Sequence, residues 1–121
     1  MSPTQTHLII AYPSSDPTTG KPLNFNMPYY TGHHVALATK LWGPSGLKSW
    51  SVVEFANPNP FSGKTPPYLF QSTLIWEGSP EEVLKAVMDS GEVLGPDVVN
   101  FTDVEPVLWV AKPGASGIVG E

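Results

Sequence analysis

The chain has 121 residues, of which 40% are hydrophobic and only 14% charged, with a net charge of -5. Six scattered lysines form no basic stripe, so binding to nucleic acid or to an anionic membrane surface is disfavoured. The absence of cysteine excludes disulfides, thiolate nucleophiles and sulfur-ligated metals.

This length predicts one domain over residues 1–121, with a core of about 7–111 and a flexible tail over 112–121. The N-terminus has neither a cationic start nor an apolar signal region, and no apolar run approaches the roughly 18 residues of a membrane span. We therefore expect a soluble, cytoplasmic protein.

Two elements are predicted in the first third of the chain. The apolar run His7–Tyr12 reads as a strand, because it ends at Pro13 and a polar loop. A helix is predicted over about Pro28–Trp42, where apolar residues recur at helical spacing and Gly43 follows.

The middle of the chain predicts a pair of strands. Residues Leu47–Phe55 are rich in β-branched and aromatic side chains, and so are residues Tyr68–Trp76. A loop rich in proline and glycine separates the two runs, so we expect a long antiparallel hairpin.

The last third predicts a second helix and a fourth strand. Ser79, Pro80 and Glu82 form the pattern of a capping box, which opens a helix that ends near Gly91. A loop containing Gly95-Pro96 is expected next, followed by a strand over Val104–Ala111.

The order strand, helix, strand, strand, helix, strand is the signature of an α+β, ferredoxin-like βαββαβ domain. Both helices then cover one face of the sheet, and the other face is bare. The predicted strands alternate poorly between apolar and polar residues, so this face would expose large apolar groups. We therefore expect a homodimer in which two sheets pack face to face and enclose a cavity.

Four stretches resemble the EthD family of dimeric α+β barrel proteins. They are Tyr29–His34, 42–50 with its Trp-Gly-Pro and Gly-Leu-Lys-Ser-Trp segments, Pro67-Tyr68, and Asn100–Val107. The resemblance covers about residues 7–111 and implies the barrel fold and the dimer. Ala36 departs from the family pattern, in which a proline usually stands two residues after the histidine. Relatives on this fold include isomerases, decarboxylases, dehydratases, cyclases and cofactor-free monooxygenases, so fold alone does not select a reaction.

The best candidate for chemistry is His34, which matches the family histidine and has a side chain that both accepts and donates protons near neutral pH. The alternative is a histidine that only ties the helix to a neighbouring loop. Tyr12 and Tyr30 are expected to orient a ligand oxygen or donate to an enolate. Tyr29 is expected to contact substrate, although tandem tyrosines also suit half-buried packing. We expect His33 to point elsewhere, about 100° around the helix.

Aromatic residues of the strands suit a flat apolar ligand, or alternatively the dimer core. These predicted substrate contacts are Trp50, Phe70, Trp76 and Trp109, with Asn100 as either a ligand contact or a turn residue. No group of residues shows metal-ligand spacing, so neither a metal nor another cofactor is expected.

These observations predict a cofactor-independent enzyme that isomerises, dehydrates, cyclises or decarboxylates a hydrophobic aromatic or polyketide-like molecule. Three alternatives remain open. They are a binding or carrier protein for an apolar metabolite or haem, a cofactor-free monooxygenase, and a protein without a ligand whose own aromatic side chains fill the cavity.

Overall fold

The computed structural model describes residues 4–21 and 24–120. Its four strands are β1 (Gln5–Pro13), β2 (Leu47–Glu54), β3 (Tyr68–Glu77) and β4 (Val107–Ala111). They form one antiparallel sheet in the order β2-β3-β1-β4. This order is that of a ferredoxin-like sheet, so the predicted α+β, βαββαβ class is confirmed.

Helix α1 occupies residues 27–42 and contains an irregular first half. An α-helical turn, Met27–Tyr29, leads into a π-helical segment, Tyr30–His34, and then into a regular α-helix, Val35–Trp42. The Asn26 side chain caps the helix by accepting a hydrogen bond from the Tyr29 backbone N–H. Single π turns inside α-helices occur frequently at functional sites.

Helix α2 (Pro80–Asp89) begins as the sequence indicates. The Ser79 hydroxyl accepts from the Glu82 backbone N–H at 3.2 Å, and the Glu82 carboxylate accepts from the Ser79 backbone N–H at 3.0 Å. Both bonds of the predicted capping box are therefore present.

The predicted loop after α2 is instead a second short helix, α3 (Gly91–Asp97), followed by a 3-10 turn, Val98–Asn100. Only Ser90 separates the two helices, and the Leu94 side chain of the second helix is buried in the core. Tertiary burial thus outweighs the helix-breaking tendency of Gly95 and Pro96, which was the basis of the loop prediction.

The strand register divides the sheet into two sides. The helix side carries Leu8, Tyr12, Phe70 and Trp76, all at most 2% exposed. The free side carries alternate residues such as Trp109, which is 45% exposed. The fourth strand begins at Val107, three residues later than the sequence predicts.

The core on the helix side consists of two clusters. The tryptophan cluster contains Leu8, Ala38, Trp42, Leu47, Leu74, Trp76, Val83, Ala86 and Leu94. The phenyl cluster contains Tyr12, Tyr30, Val35, Phe70, Phe101 and Val104. Helix α1 contributes to both, so it joins the two halves of the core.

The free side of the sheet is not covered by any helix in the part of the chain that the structure describes. Val53 is 53% exposed there, and Ile9 and Ile75 are partly buried by their neighbours in the sheet. Residues 112–120 form no helix or strand and are exposed.

Candidate functional site

A cavity of about 230 Å³ lies between the helix side of the sheet and helices α1 and α3. Ile10, Leu74 and Leu108 form its floor, and Ala38 and Leu94 contribute to its walls. Because its lining residues come from both core clusters, the cavity sits where the two clusters meet. We expected a chamber between two sheets, whereas this cavity lies beneath the helices of a single chain.

Polar side chains gather at one end of this cavity. The hydroxyl groups of Tyr30 and Ser72 lie 2.8 Å apart and share a buried hydrogen bond. The Tyr30 ring centre lies 5.7 Å from that of Tyr12 and 5.8 Å from that of His34. We refer to Tyr12, Tyr30, Ser72 and His34 as the polar corner of the cavity.

Burial determines the protonation state of the two phenols. It raises the pKa of Tyr12, and the neighbouring Tyr30 raises it further. Burial also raises the pKa of Tyr30, an effect that the hydrogen bond with Ser72 partly offsets. Both tyrosines therefore keep their protons near neutral pH and remain hydrogen-bond donors.

His34 is held by a carboxylate from a distant segment of the chain. Its Nδ1 atom lies 2.8 Å from Oδ2 of Asp97, the last residue of α3, and both side chains are about nine-tenths buried. An ionised carboxylate only accepts hydrogen bonds, so Nδ1 carries a proton and donates it. The neutral imidazole then has Nε2 as its basic nitrogen. The Phe101 ring packs against the imidazole, with 4.6 Å between the two ring centres.

Asp97 is at the centre of a network of donors. The Tyr29 hydroxyl donates to Oδ1 at 2.6 Å, and the Asn100 side-chain amide donates at 3.1 Å. Burial alone would raise the pKa of Asp97, but the bonds from Tyr29, His34 and Asn100 outweigh it and hold this pKa below its ordinary value. The bond to Asp97 also raises the pKa of Tyr29. Asp97 is therefore ionised at neutral pH.

His33 faces the same carboxylate from the solvent side. Its Nε2 atom lies 3.8 Å from Oδ1 of Asp97, and its side chain is 58% exposed. Its ring centre lies 4.8 Å from that of Tyr29. His33 does not line the cavity, as expected, but both adjacent histidines lie close to Asp97.

Two solved structures are similar to this chain over most of its length. An EthD-like protein from Ralstonia eutropha JMP134 superposes with a TM-score of 0.74 at 22% identity, covering 92% of this chain and 93% of that one. An ethyl tert-butyl ether D (EthD) family protein from Bacillus halodurans C-125 superposes with a TM-score of 0.63 at 17% identity, covering 91% and 99%. The chain has the EthD-like fold. No protein-family model matches the sequence, and no curated protein matches it either.

Within this EthD-like fold, the predicted catalytic residues His34, Tyr30 and Tyr12 all line the cavity, and so does Trp50. His34 ties α1 to α3, as one of the two interpretations drawn from the sequence expects, and it also lines the cavity. Its ring lies beside Phe101, the residue after the predicted contact Asn100.

The other predicted substrate contacts lie elsewhere. Phe70 and Trp76 are fully buried on the helix side of the sheet, where they pack in the two clusters. Trp109 lies on the free side, across the sheet from the cavity, with its ring against Tyr68. Tyr29 and Asn100 contact Asp97.

Two residues of the site were not identified from the sequence. Asp97 lies 63 residues from His34 in a segment expected to be a loop, and Ser72 lies 42 residues from Tyr30 in a predicted strand. The alternation of β3 places Ser72 beside Phe70 and Leu74 on the buried side, and a polar residue at such a position is a signal for a hydrogen-bond partner.

Among residues 4–21 and 24–120, no three histidine, aspartate or glutamate side chains are grouped as metal ligands. No helix in these ranges is long and apolar enough to cross a bilayer.

Proposed function

We propose that the chain is an EthD family protein and a cofactor-independent enzyme that performs acid/base chemistry on a small hydrophobic molecule. The observation that carries this proposal is the contact between His34 Nδ1 and Asp97 Oδ2, made by an imidazole that also lines an apolar cavity. A histidine oriented by a carboxylate is a recurrent arrangement for a general base, because the carboxylate fixes the tautomer and stabilises the imidazolium.

The proposed step is proton abstraction next to a carbonyl group. Nε2 of His34 takes a proton from the α-carbon, and the electron pair of the C–H bond moves into an enolate with its negative charge on oxygen. The phenol of Tyr12 donates a hydrogen bond to that oxygen, in the corner of the cavity that also holds the bonded hydroxyl groups of Tyr30 and Ser72. The imidazolium then returns the proton at another atom, which gives an isomerisation, or promotes loss of a β-hydroxyl group as water.

Deuterium exchange tests this step without knowledge of the natural substrate. We would incubate 2-tetralone, a bicyclic ketone with acidic α-protons, with the protein in D₂O and follow the α-proton signals by NMR. We expect His34→Ala to slow the protein-dependent exchange by about 10²–10⁴-fold. His33→Gln is the matched control, because it changes the adjacent histidine outside the cavity, and it should retain the rate.

The carrier and monooxygenase alternatives give other results. A carrier of an apolar metabolite or haem binds ligand without accelerating exchange, and it loses little affinity in His34→Ala. A cofactor-free monooxygenase consumes oxygen when it is given a phenolic substrate. Absence of exchange with the wild-type protein, together with binding of 2-tetralone, would favour the carrier.

We also propose that the protein forms a homodimer through the free side of the sheet. Trp109 and Val53 are about half exposed there, and burying such area contributes roughly 25 cal/mol per Å². Light scattering after gel filtration should give twice the monomer mass for the wild type. The Trp109→Glu variant should give the mass of a single chain. Leu84→Glu is the matched control, since Leu84 is exposed on α2, away from the sheet. A wild-type monomer would contradict this proposal.

We propose that residues 1–121 form one domain and that the protein is cytoplasmic, since a chain without cysteine is compatible with a reducing compartment.

A further inference from the structure

The charges around the cavity restrict the ligand that it can hold. The six lysines of the chain are Lys21, Lys40, Lys48, Lys64, Lys85 and Lys112. None of them lines the cavity. The nearest formal charge to the polar corner is the carboxylate of Asp97, which is negative.

An anionic ligand would therefore lose its water without gaining a cationic partner. Burying an ionised carboxylate without a paired charge is strongly unfavourable. A protonated His34 does not change this balance, because its charge already faces the Asp97 carboxylate at 2.8 Å.

A single uncharged oxygen atom, in contrast, has a donor available in the polar corner. The Tyr12 hydroxyl makes no hydrogen bond to any residue in the ranges 4–21 and 24–120, whereas the Tyr30 hydroxyl is engaged with Ser72. At the opposite end, the Trp42 indole N–H already donates to Ser90 Oγ at 2.9 Å. The available donor is thus at one end only.

The size of the cavity limits the ligand further. A volume of about 230 Å³ corresponds to the share of about seven or eight water molecules in the liquid. This volume suits a molecule of one or two rings that lies along the apolar floor.

We infer that the ligand of this site is an uncharged molecule of one or two rings, whose carbonyl or phenol oxygen accepts a hydrogen bond from the Tyr12 hydroxyl. Ligands that carry a carboxylate or a phosphate are excluded. This inference rests on the proposed function in that it concerns the same cavity. It is separate in its test, because it concerns affinity rather than proton transfer.

Three probes with the same ring system test the inference by calorimetry at pH 7: 2-naphthol, 2-naphthoate and naphthalene. We expect 2-naphthol to bind at least tenfold more tightly than 2-naphthoate. Tyr12→Phe should weaken 2-naphthol binding about threefold to tenfold and leave naphthalene within twofold. Tyr68→Phe is the matched control, since this tyrosine contacts Trp109 and does not line the cavity.

A variant with a new cation gives the reverse result. Leu108 lines the cavity and is 44% exposed, so Leu108→Lys should fold and should bind 2-naphthoate more tightly than the wild type does. Tight binding of 2-naphthoate to the wild type, or no binding of any of the three probes, would overturn the inference. If His34→Ala stops exchange while 2-naphthoate binds as well as 2-naphthol, this inference fails and the proposed function stands.

Discussion

The substitution Asp97→Asn is the sharpest test of the site, because it removes one charge and keeps the shape of the side chain. The amide oxygen still accepts from Tyr29 and Asn100, but the amide NH₂ group now meets His34 Nδ1, which lies 2.8 Å from the carboxylate in the wild type. Nδ1 must then act as an acceptor, so the proton of the neutral imidazole moves to Nε2. Nε2 is then no longer available as a base.

Both rate and stability should respond. A correctly oriented general base contributes about 10²–10⁴-fold, so we expect the exchange rate of 2-tetralone to fall by that factor, which is about 3–5 kcal/mol of activation free energy. Three bonds to a charged acceptor become bonds to a neutral group, which should reduce the free energy of unfolding by about 1–3 kcal/mol. Asp103→Asn is the control, since Asp103 is exposed on the nearby turn.

The ¹⁵N chemical shifts of His34 report the tautomer independently of activity. We expect the proton on Nδ1 in the wild type and on Nε2 in Asp97→Asn. If the variant retained the Nδ1 proton, or kept its exchange rate within threefold of the wild type, the role assigned to Asp97 would be wrong.

The same substitution should change the dependence of stability on pH. The pKa of Asp97 is lowered in the folded protein, so its ionised form stabilises the fold at pH values above the ordinary carboxyl pKa of about 3.9. This contribution is lost as the pH falls through the lowered, folded-state pKa. The difference in unfolding free energy between wild type and Asp97→Asn should therefore narrow in acid, and a constant difference would contradict this.

Three further substitutions test the fold by urea or thermal unfolding. Tyr30→Phe leaves the buried Ser72 hydroxyl without its partner and should cost about 1–3 kcal/mol; if adding Ser72→Ala recovers nothing, the shared bond is not the cause. Gly46→Ala should cost at least about 2 kcal/mol, because Gly46 has a φ of 119° and an added Cβ would clash with the Glu77 carbonyl oxygen; an unchanged midpoint would refute that clash. Ser79→Ala removes one half of the capping box and should cost about 1 kcal/mol, whereas Ser79→Asp, which keeps a cap, should not.

Local chemistry explains why much of the fold was predictable from the sequence. The capping box at Ser79 and Glu82 involves neighbours in the chain, and so do the apolar run of β1 and the β-branched and aromatic run of β3. These signals need no knowledge of distant contacts, and the element order then determines the sheet order through the known ferredoxin-like connection.

The site was only half predictable, because its decisive contact joins distant segments. His34 and Tyr30 could be identified as candidates, but their partners lie 63 and 42 residues away, at Asp97 and Ser72. Helix α3 was missed because Gly95 and Pro96 indicate a loop when their tertiary contacts are unknown. Phe70 and Trp109 are both aromatic residues of predicted strands, so the sequence does not distinguish them, but they lie on opposite sides of the sheet.

The cavity also creates a conflict between the stability of the fold and the binding of a ligand. The apolar side chains around this space of about 230 Å³ do not fill it, so they forgo packing contacts that would otherwise stabilise the fold. Substitutions that are selected only for stability would therefore fill the cavity. Gly91 and Gly95 of α3 line it, and a methyl group added at either position meets nothing within 4 Å.

Alanine at Gly95 should therefore favour the helix by up to about 1 kcal/mol while it takes space from the ligand. A single substitution is thus expected to give a more stable variant of this protein. We expect laboratory evolution for heat resistance alone to reduce the volume of the cavity and to weaken ligand binding. Selection for ligand binding would keep the glycines and the lower melting temperature that accompanies them.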